Sequence, residues 1–119
     1  MAITDLSGNA PHIGKNFRGI DITFDAVGTS KIMMLDTEGT ESWQSIRVIP
    51  SATFAGTILY EQSFDDGITW ELMNAGSHVY TGTGNENHYG RNSTSGGIWK
   101  QRIRCSARSA GSCRCLLMV

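Results

Sequence analysis

The chain has no apolar run approaching ~18 residues, so no segment of it reads as a membrane-spanning helix. Its first residues, Met1-Ala2-Ile3-Thr4-Asp5-Leu6-Ser7-Gly8, lack a basic region followed by an apolar stretch. No signal peptide is expected from them, and synthesis in a reducing cytoplasm is. Only 2 of the 119 residues are proline. No 3.6-residue apolar period with caps persists over about three turns, which argues against a helical domain. Acidic residues are absent from residues 91–119: all 11 lie earlier, whereas Arg91, Lys100, Arg102, Arg104, Arg108 and Arg114 are six of the 10 cationic side chains. The formal net charge is only -1, so no nucleic-acid partner is expected.

What is present is globular: 39% hydrophobic, 18% charged and 14 glycines in a length suited to one domain. Residues 1–18, broken by Gly8, Pro11 and Gly14, read as an N-terminal arm with little structure of its own, and residues 19–119 as the domain. Ile20, Ile22 and Phe24 alternate with Asp21, Thr23 and Asp25, the pattern of a half-buried strand. Further strands are expected over 31–36, 43–49 (stopped by Pro50), 57–62, from Thr69 onward, 78–81, 98–108 and 113–119. Gly82 to Gly97, rich in Gly, Asn, Ser and Thr, reads as a long loop. About eight short antiparallel strands at this spacing predict an all-β fold, a β-sandwich or jelly roll.

The sharpest local signal is Ser63-Phe64-Asp65-Asp66-Gly67-Ile68-Thr69-Trp70. Asp accepts hydrogen bonds from nearby backbone N–H groups, Gly takes positive φ, and Ser63 and Thr69 can close the turn from either side. Trp70 is expected over its base. Ser63, Asp65, Gly67, Thr69 and Trp70 are therefore read as a structural hairpin lock.

The last 22 residues are expected to form a terminal hairpin. Trp99, Ile103, Cys105 and Ala107 would share its core face, interrupted by Gln101, with Cys113, Cys115 and Leu117 on the return strand. Lys100, Arg102, Arg104, Arg108 and Arg114 would form a cationic stripe edged by Leu116 and Met118. Such a face either pairs with acidic groups of the body or docks an acidic partner.

Catalytic and metal constellations are not visible. Cys113 and Cys115 lack the Cys-x-x-Cys spacing and the further ligand, such as His88, that zinc requires. A disulfide from Cys105 is disfavoured in a reducing compartment, so buried free thiols are expected and no metal or cofactor. Asp65-Asp66 is unlike an EF-hand loop. His12, His78 and His88 lie in separate segments, with no triad order or paired carboxylates, so the chain is not expected to be an enzyme. Of the aromatics Trp43, Tyr60, Trp70, Tyr80, Tyr89 and Trp99, most are expected in the core and Tyr89 at the surface.

The run S-F-D-D-G-I-T-W fits the Asp-box pattern of sialidases and of small phage and carbohydrate-associated β domains. A single copy in this length cannot be a propeller. From Trp43 onward the series G-T-I-L-Y-E-Q-S, D-D-G-I-T-W, W-K-Q-R-I-R-C-S-A and S-A-G-S resembles a small β-sandwich of bacteriophage structural proteins. Asp66 stands where that group commonly has Gly, and Cys at inward positions usually aliphatic. The resemblance implies a virion structural protein assembled in the host cytoplasm. A Met1 start and a polar arm read as a complete small gene product, which points to a head decoration (cement) protein. Its partners would be the major capsid protein and copies of itself, as in a trimer, without membrane or nucleic acid. Lys15, Asn16, Phe17 and Arg18 of the arm would join Arg102, Arg104, Arg108, Arg114, Leu116 and Met118 as contact residues. The alternative is a tail or fibre adsorption component binding host glycan, with exposed aromatics within residues 82–98.

Overall fold

A computed structural model of the chain describes residues 2–5, 12–13 and 18–118, with side chains from residue 19. Its described residues contain no helix. The strands are β1 (Ala2–Asp5), β2 (His12–Ile13), β3 (Arg18–Phe24), β4 (Gly28–Thr29), β5 (Met33–Asp36) and β6 (Ser42–Pro50). They continue with β7 (Ala55–Ser63), β8 (Glu71–Thr81), β9 (His88–Thr94), β10 (Ile98–Ala110) and β11 (Cys113–Met118). All pairs are antiparallel. The first sheet runs β1-β5-β10-β7-β8, with β4 also on β10; the second runs β2-β3-β11-β6-β9.

With the short β1, β2 and β4 set aside, eight strands remain, ordered β3-β11-β6-β9 in one sheet and β5-β10-β7-β8 in the other. This is the jelly-roll arrangement of interlocked Greek keys, as the strand count and alternation predict. Among those eight, β7 and β8 alone are both consecutive and hydrogen-bonded. Every other connection crosses between the sheets.

That crossing corrects the expected terminal hairpin. β10 and β11 are consecutive but lie in different sheets, β10 between β5 and β7 and β11 between β3 and β6. Alternation tells which residues face inward, but strands paired side by side and strands stacked across a core show the same inward pattern. The buried Gln101, Ile103 and Cys105 of β10 face the interior from one side, and the buried Cys113, Cys115 and Leu117 of β11 from the other. The crossover is anchored where Ser51 N donates to Ser112 O (2.8 Å) and Ser112 N to Ser51 Oγ (3.1 Å).

Two further expectations change. Gly82 to Gly97 is not one long loop, because β9 lies within it and pairs with β6 from Val48↔His88 to Ser42↔Thr94. Its inward residues Asn92 and Thr94 are polar and buried, so no apolar alternation announced the strand. Within the expected arm, Ala2–Asp5 pairs with β5 and His12–Ile13 with β3, while Arg18 begins β3. Both described arm segments thus borrow structure from a sheet edge, and the rest of the arm, including Lys15, Asn16 and Phe17, lies outside the described residues.

The core is one layer of Ile20, Phe24, Met33, Ile46, Val48, Phe54, Ile58, Tyr60, Met73, Ile103, Leu117 and the three cysteines. All three thiols are free and buried, filling space as small hydrophobes. Gly19, at φ 144, touches β11 so closely that a Cβ there would lie 1.7 Å from Leu117 O. Polar pins also cross the layer. Gln44 Nε2 donates to Gln101 Oε1 (2.6 Å) and Gln101 Nε2 to Gln44 Oε1 (2.7 Å), joining β6 to β10. Asn92 Nδ2 reaches the same Gln44 oxygen at 3.3 Å, and Asn92 Oδ1 accepts from Asn74 N at 3.0 Å. Tyr60, in the first sheet, donates to Arg47 O (2.8 Å) and Leu116 O (3.1 Å) of the second.

Removing Gln101 leaves Gln44 Nε2 buried without its acceptor, while Gln44 Oε1 keeps only the longer bond from Asn92 Nδ2. Gln101→Leu is expected to lower unfolding free energy in urea by about 1–3 kcal/mol. The Gln44→Leu/Gln101→Leu double variant should recover part of that loss, because the pair leaves together while Asn92 Nδ2 gives up its Gln44 acceptor.

Candidate functional site

The hairpin between β7 and β8 closes as its residue types dictate. Ser63 Oγ donates to Asp65 Oδ1 (2.7 Å) and accepts from Gly67 N (2.9 Å). Asp65 Oδ1 accepts from Thr69 N (2.9 Å), and its other oxygen accepts from the Thr69 hydroxyl. Trp70 Nε1 donates to Gly67 O (3.1 Å). Asp66 and Gly67 take φ of 65° and 84°, the left-handed values that a tight turn uses. The Thr69 hydroxyl, the Thr69 N–H and Ser63 hold the Asp65 carboxyl down at about 2. All five predicted lock residues therefore sit in one hydrogen-bonded turn, whose geometry is structural.

The expected cationic stripe is divided. Arg102 and Arg104 lie together on the outer face of the first sheet, both bound to Glu61 at 2.9 and 3.0 Å, and Arg102 also stacks 4.0 Å from the Trp70 ring centre. Burial alone would raise the Glu61 carboxyl, but hydrogen bonds from Arg104 and Arg102 outweigh it and the net shift is downward. Lys100 pairs with Asp66 at 2.7 Å, and Arg108 Nε donates to Gly111 O at 2.8 Å. Arg114 stands on the other sheet in a two-pronged pair with Asp21, at 3.0 and 2.7 Å. Leu116, expected at a docking edge, is only 5% exposed. The side chain of Arg18 lies outside the description. One cationic docking face made from β10 and β11 together does not exist, since those strands occupy opposite sheets.

A different constellation occupies the outer face of the second sheet. On β6 the inward set is Ser42, Gln44, Ile46 and Val48, which turns Trp43, Ser45 and Arg47 outward. On β9 Tyr89, Arg91 and Ser93 face out beside them, with Ser45 opposite Arg91 and Arg47 opposite Tyr89. Trp43 is 55% exposed and Tyr89 60%. The Arg47 guanidinium carbon lies 4.6 Å from the Tyr89 ring centre, and Arg47 Nη2 donates to the Tyr89 hydroxyl at 3.2 Å. Arg91 stacks 4.8 Å from the Trp43 ring centre. Hydrogen bonds from Asn87 and Arg47 hold the Tyr89 phenol below its ordinary range. Between these pairs, above Ser45, Ile46 and Gly90, lies an open groove of about 540 Å3 bounded on its third side by Met118.

Among the expected contact residues whose side chains are described, only Met118 lines this groove; Trp43 belongs to the aromatics of which most are expected in the core, and Arg47 and Arg91 are not among the expected contact residues. The parity of β6 could have found them, because Trp43 shares a face with Ser45 and Arg47, not with Ile46 and Val48. Among the six aromatics Tyr60 is buried as expected, and Tyr89 is exposed as expected.

A second exposed feature flanks the hairpin. Phe64, 64% exposed, packs edge-on against Trp99 (5.7 Å between ring centres) beside exposed Ile98. Among the described residues no group of three or more His, Cys, Asp and Glu side chains converges. His78 and His88 do stack, 4.3 Å apart, where the edge strands β8 and β9 meet. Comparison of the chain with protein families, with curated proteins and with solved structures finds no match in any of them.

Two acid responses follow from these geometries. Asp65 binds its proton less readily folded than unfolded, so its contribution is whole above 3.8 and is lost as pH falls toward about 2. Asp65→Asn should melt lower than the parent at neutral pH, with the gap closing across that window. Burial and the neighbouring His88 lower the pKa of His78. The unfolded chain then takes the proton first, so stability should decline as pH drops below 6.5. Urea midpoints at stepped pH should show that decline, and His78→Phe should flatten it.

Proposed function

We propose that this chain is a structural protein of a bacteriophage virion, a head decoration protein that binds the capsid surface and stabilises the shell. The observation that carries the reading is the apolar surface of Phe64, Ile98 and Trp99, presented beside a turn locked by Asp65. An exposed cluster of large apolar side chains rimmed by a charged pair, Lys100 with Asp66, has the composition of a protein interface. The jelly roll adds support by analogy, since viral shell and lectin domains use it. The partners are the major capsid protein and further copies of the chain, as in a trimer, with no membrane or nucleic acid. Modest contacts repeated over many copies suffice to strengthen a shell. The hairpin face takes over the docking role first given to the cationic stripe, whose arginines are largely occupied by Glu61 and Asp21.

A second reading, a tail or fibre component that adsorbs to host glycan, is favoured by one observation: exposed Trp43 and Tyr89 beside Arg47 and Arg91. The copy number in purified virions, by quantitative mass spectrometry against the major capsid protein, separates the two. Near-stoichiometric abundance is expected; a handful of copies per particle selects the tail reading, and absence from virions refutes both. In a capsid-binding assay, Phe64→Ser with Ile98→Ser is expected to reduce occupancy at least ~10-fold, as loss of an apolar anchor does.

A further inference from the structure

We propose that the groove on the outer face of the second sheet binds an acidic saccharide, its sugar carboxylate held by Arg91 and Arg47. This assignment stands apart from the virion reading and holds for a head or a tail location alike.

The cations of the molecule divide into two groups. Lys100, Arg102, Arg104 and Arg114 each have a carboxylate partner. Among the described residues Lys31, Arg47, Arg91 and Arg108 have none; Arg108 is held by Gly111 O, and Arg47 and Arg91 flank the same groove. Each guanidinium lies against an aromatic ring, Arg47 on Tyr89 and Arg91 on Trp43, and such stacking restrains the guanidinium plane. Arg47 Nε is buried and has no hydrogen-bond partner. Guanidiniums held in this way suit the two-pronged binding of a carboxylate.

The shape narrows the ligand. Ser45 and Gly90 form a low floor between taller walls of Arg47, Tyr89, Arg91 and Met118, and about 540 Å3 is within the range of small-molecule sites. The backbone beneath is engaged in the β6–β9 ladder, with Ser45↔Arg91 and Ile46↔Gly90 in register. An extended peptide lying across this face would find no free main-chain partners in β6, which is paired on both sides by β11 and β9. Two arginines on a chain of net charge -1 make no track for a polynucleotide backbone. What remains available is hydroxyl chemistry from Ser45 and Tyr89, ring surface from Tyr89, and a carboxylate site. A pyranose acid uses all three.

The test is a titration of the 15N-labelled full chain with trigalacturonate, an alginate trimer and sialyllactose. The uncharged counterparts are the methyl-esterified trimers and lactose, and polyglutamate supplies charge without sugar. The expected result is saturable shifts of the Ser45, Arg47, Tyr89, Gly90 and Arg91 amides with at least one acidic saccharide, and binding at least ~10-fold weaker for its uncharged counterpart, the scale of a lost charged hydrogen bond. Arg91→Gln, at an exposed position, should melt like the parent and bind at least ~10-fold more weakly. The proposal is overturned if none of the three acids shifts these amides, if the neutral sugar or polyglutamate binds as well, or if Arg91→Gln binds like the parent.

Discussion

The reciprocal amide pair of Gln44 and Gln101 is the constraint on which the rest of this sandwich turns. Apolar packing is tolerant of small slips, whereas two amides that exchange hydrogen bonds at 2.6 and 2.7 Å in a dry interior have one satisfactory placement. A slip of one residue in either strand would bury Trp43 or Arg102 and strand both amides. Asn92 extends the pair to β9 and, through Asn74, to the neighbouring edge of the first sheet. Tyr60 adds a second pin, from the middle of one sheet to two carbonyls of the other. The pins and the surface are one arrangement: with Gln44 inward, Trp43 and Ser45 must point outward, and Arg47 follows them.

Charge is handled locally rather than as one field. The acid-free C-terminal quarter meets its counterions through pairing across strands, Glu61 between Arg102 and Arg104, Asp21 against Arg114, and Asp66 against Lys100. Most of those pairs are at least partly solvated and each adds little stability. Their larger effect is to hold long side chains flat on the sheets. Against that background, two arginines that stack on aromatic rings without carboxylates differ in kind, because their charge remains available to a ligand.

The two exposed features also differ in support. Phe64 stands at a turn held by the Ser63–Asp65–Thr69 hydrogen bonds, so its placement depends on a local sequence motif, while Trp99 meets it from β10. The groove depends on the pairing of β6 with β9, a contact between segments some 45 residues apart that the buried amides secure. A lock formed locally and a face formed globally respond differently to change: Asp65 affects the first, Gln101 the second.

Alternation and turn chemistry made the all-β class, the β7–β8 hairpin and the inward cysteines of β11 legible from residue order, because each rests on interactions within a few positions. The hidden strand β9 was not legible, since its inward residues Asn92 and Thr94 are polar, Asn92 being held by Gln44 and Asn74 rather than by apolar burial. Nor was the separation of β10 from β11, because stacked and paired strands have the same period of two. Trp43 shows the limit most clearly. Its bulk and apolarity argue for the core and its parity with Ser45 and Arg47 for the surface, and the pairing of Gln44 with Gln101, 57 positions away, decides between them. Local order thus set the elements and their faces, while long-range pairing chose their neighbours and so assembled the groove.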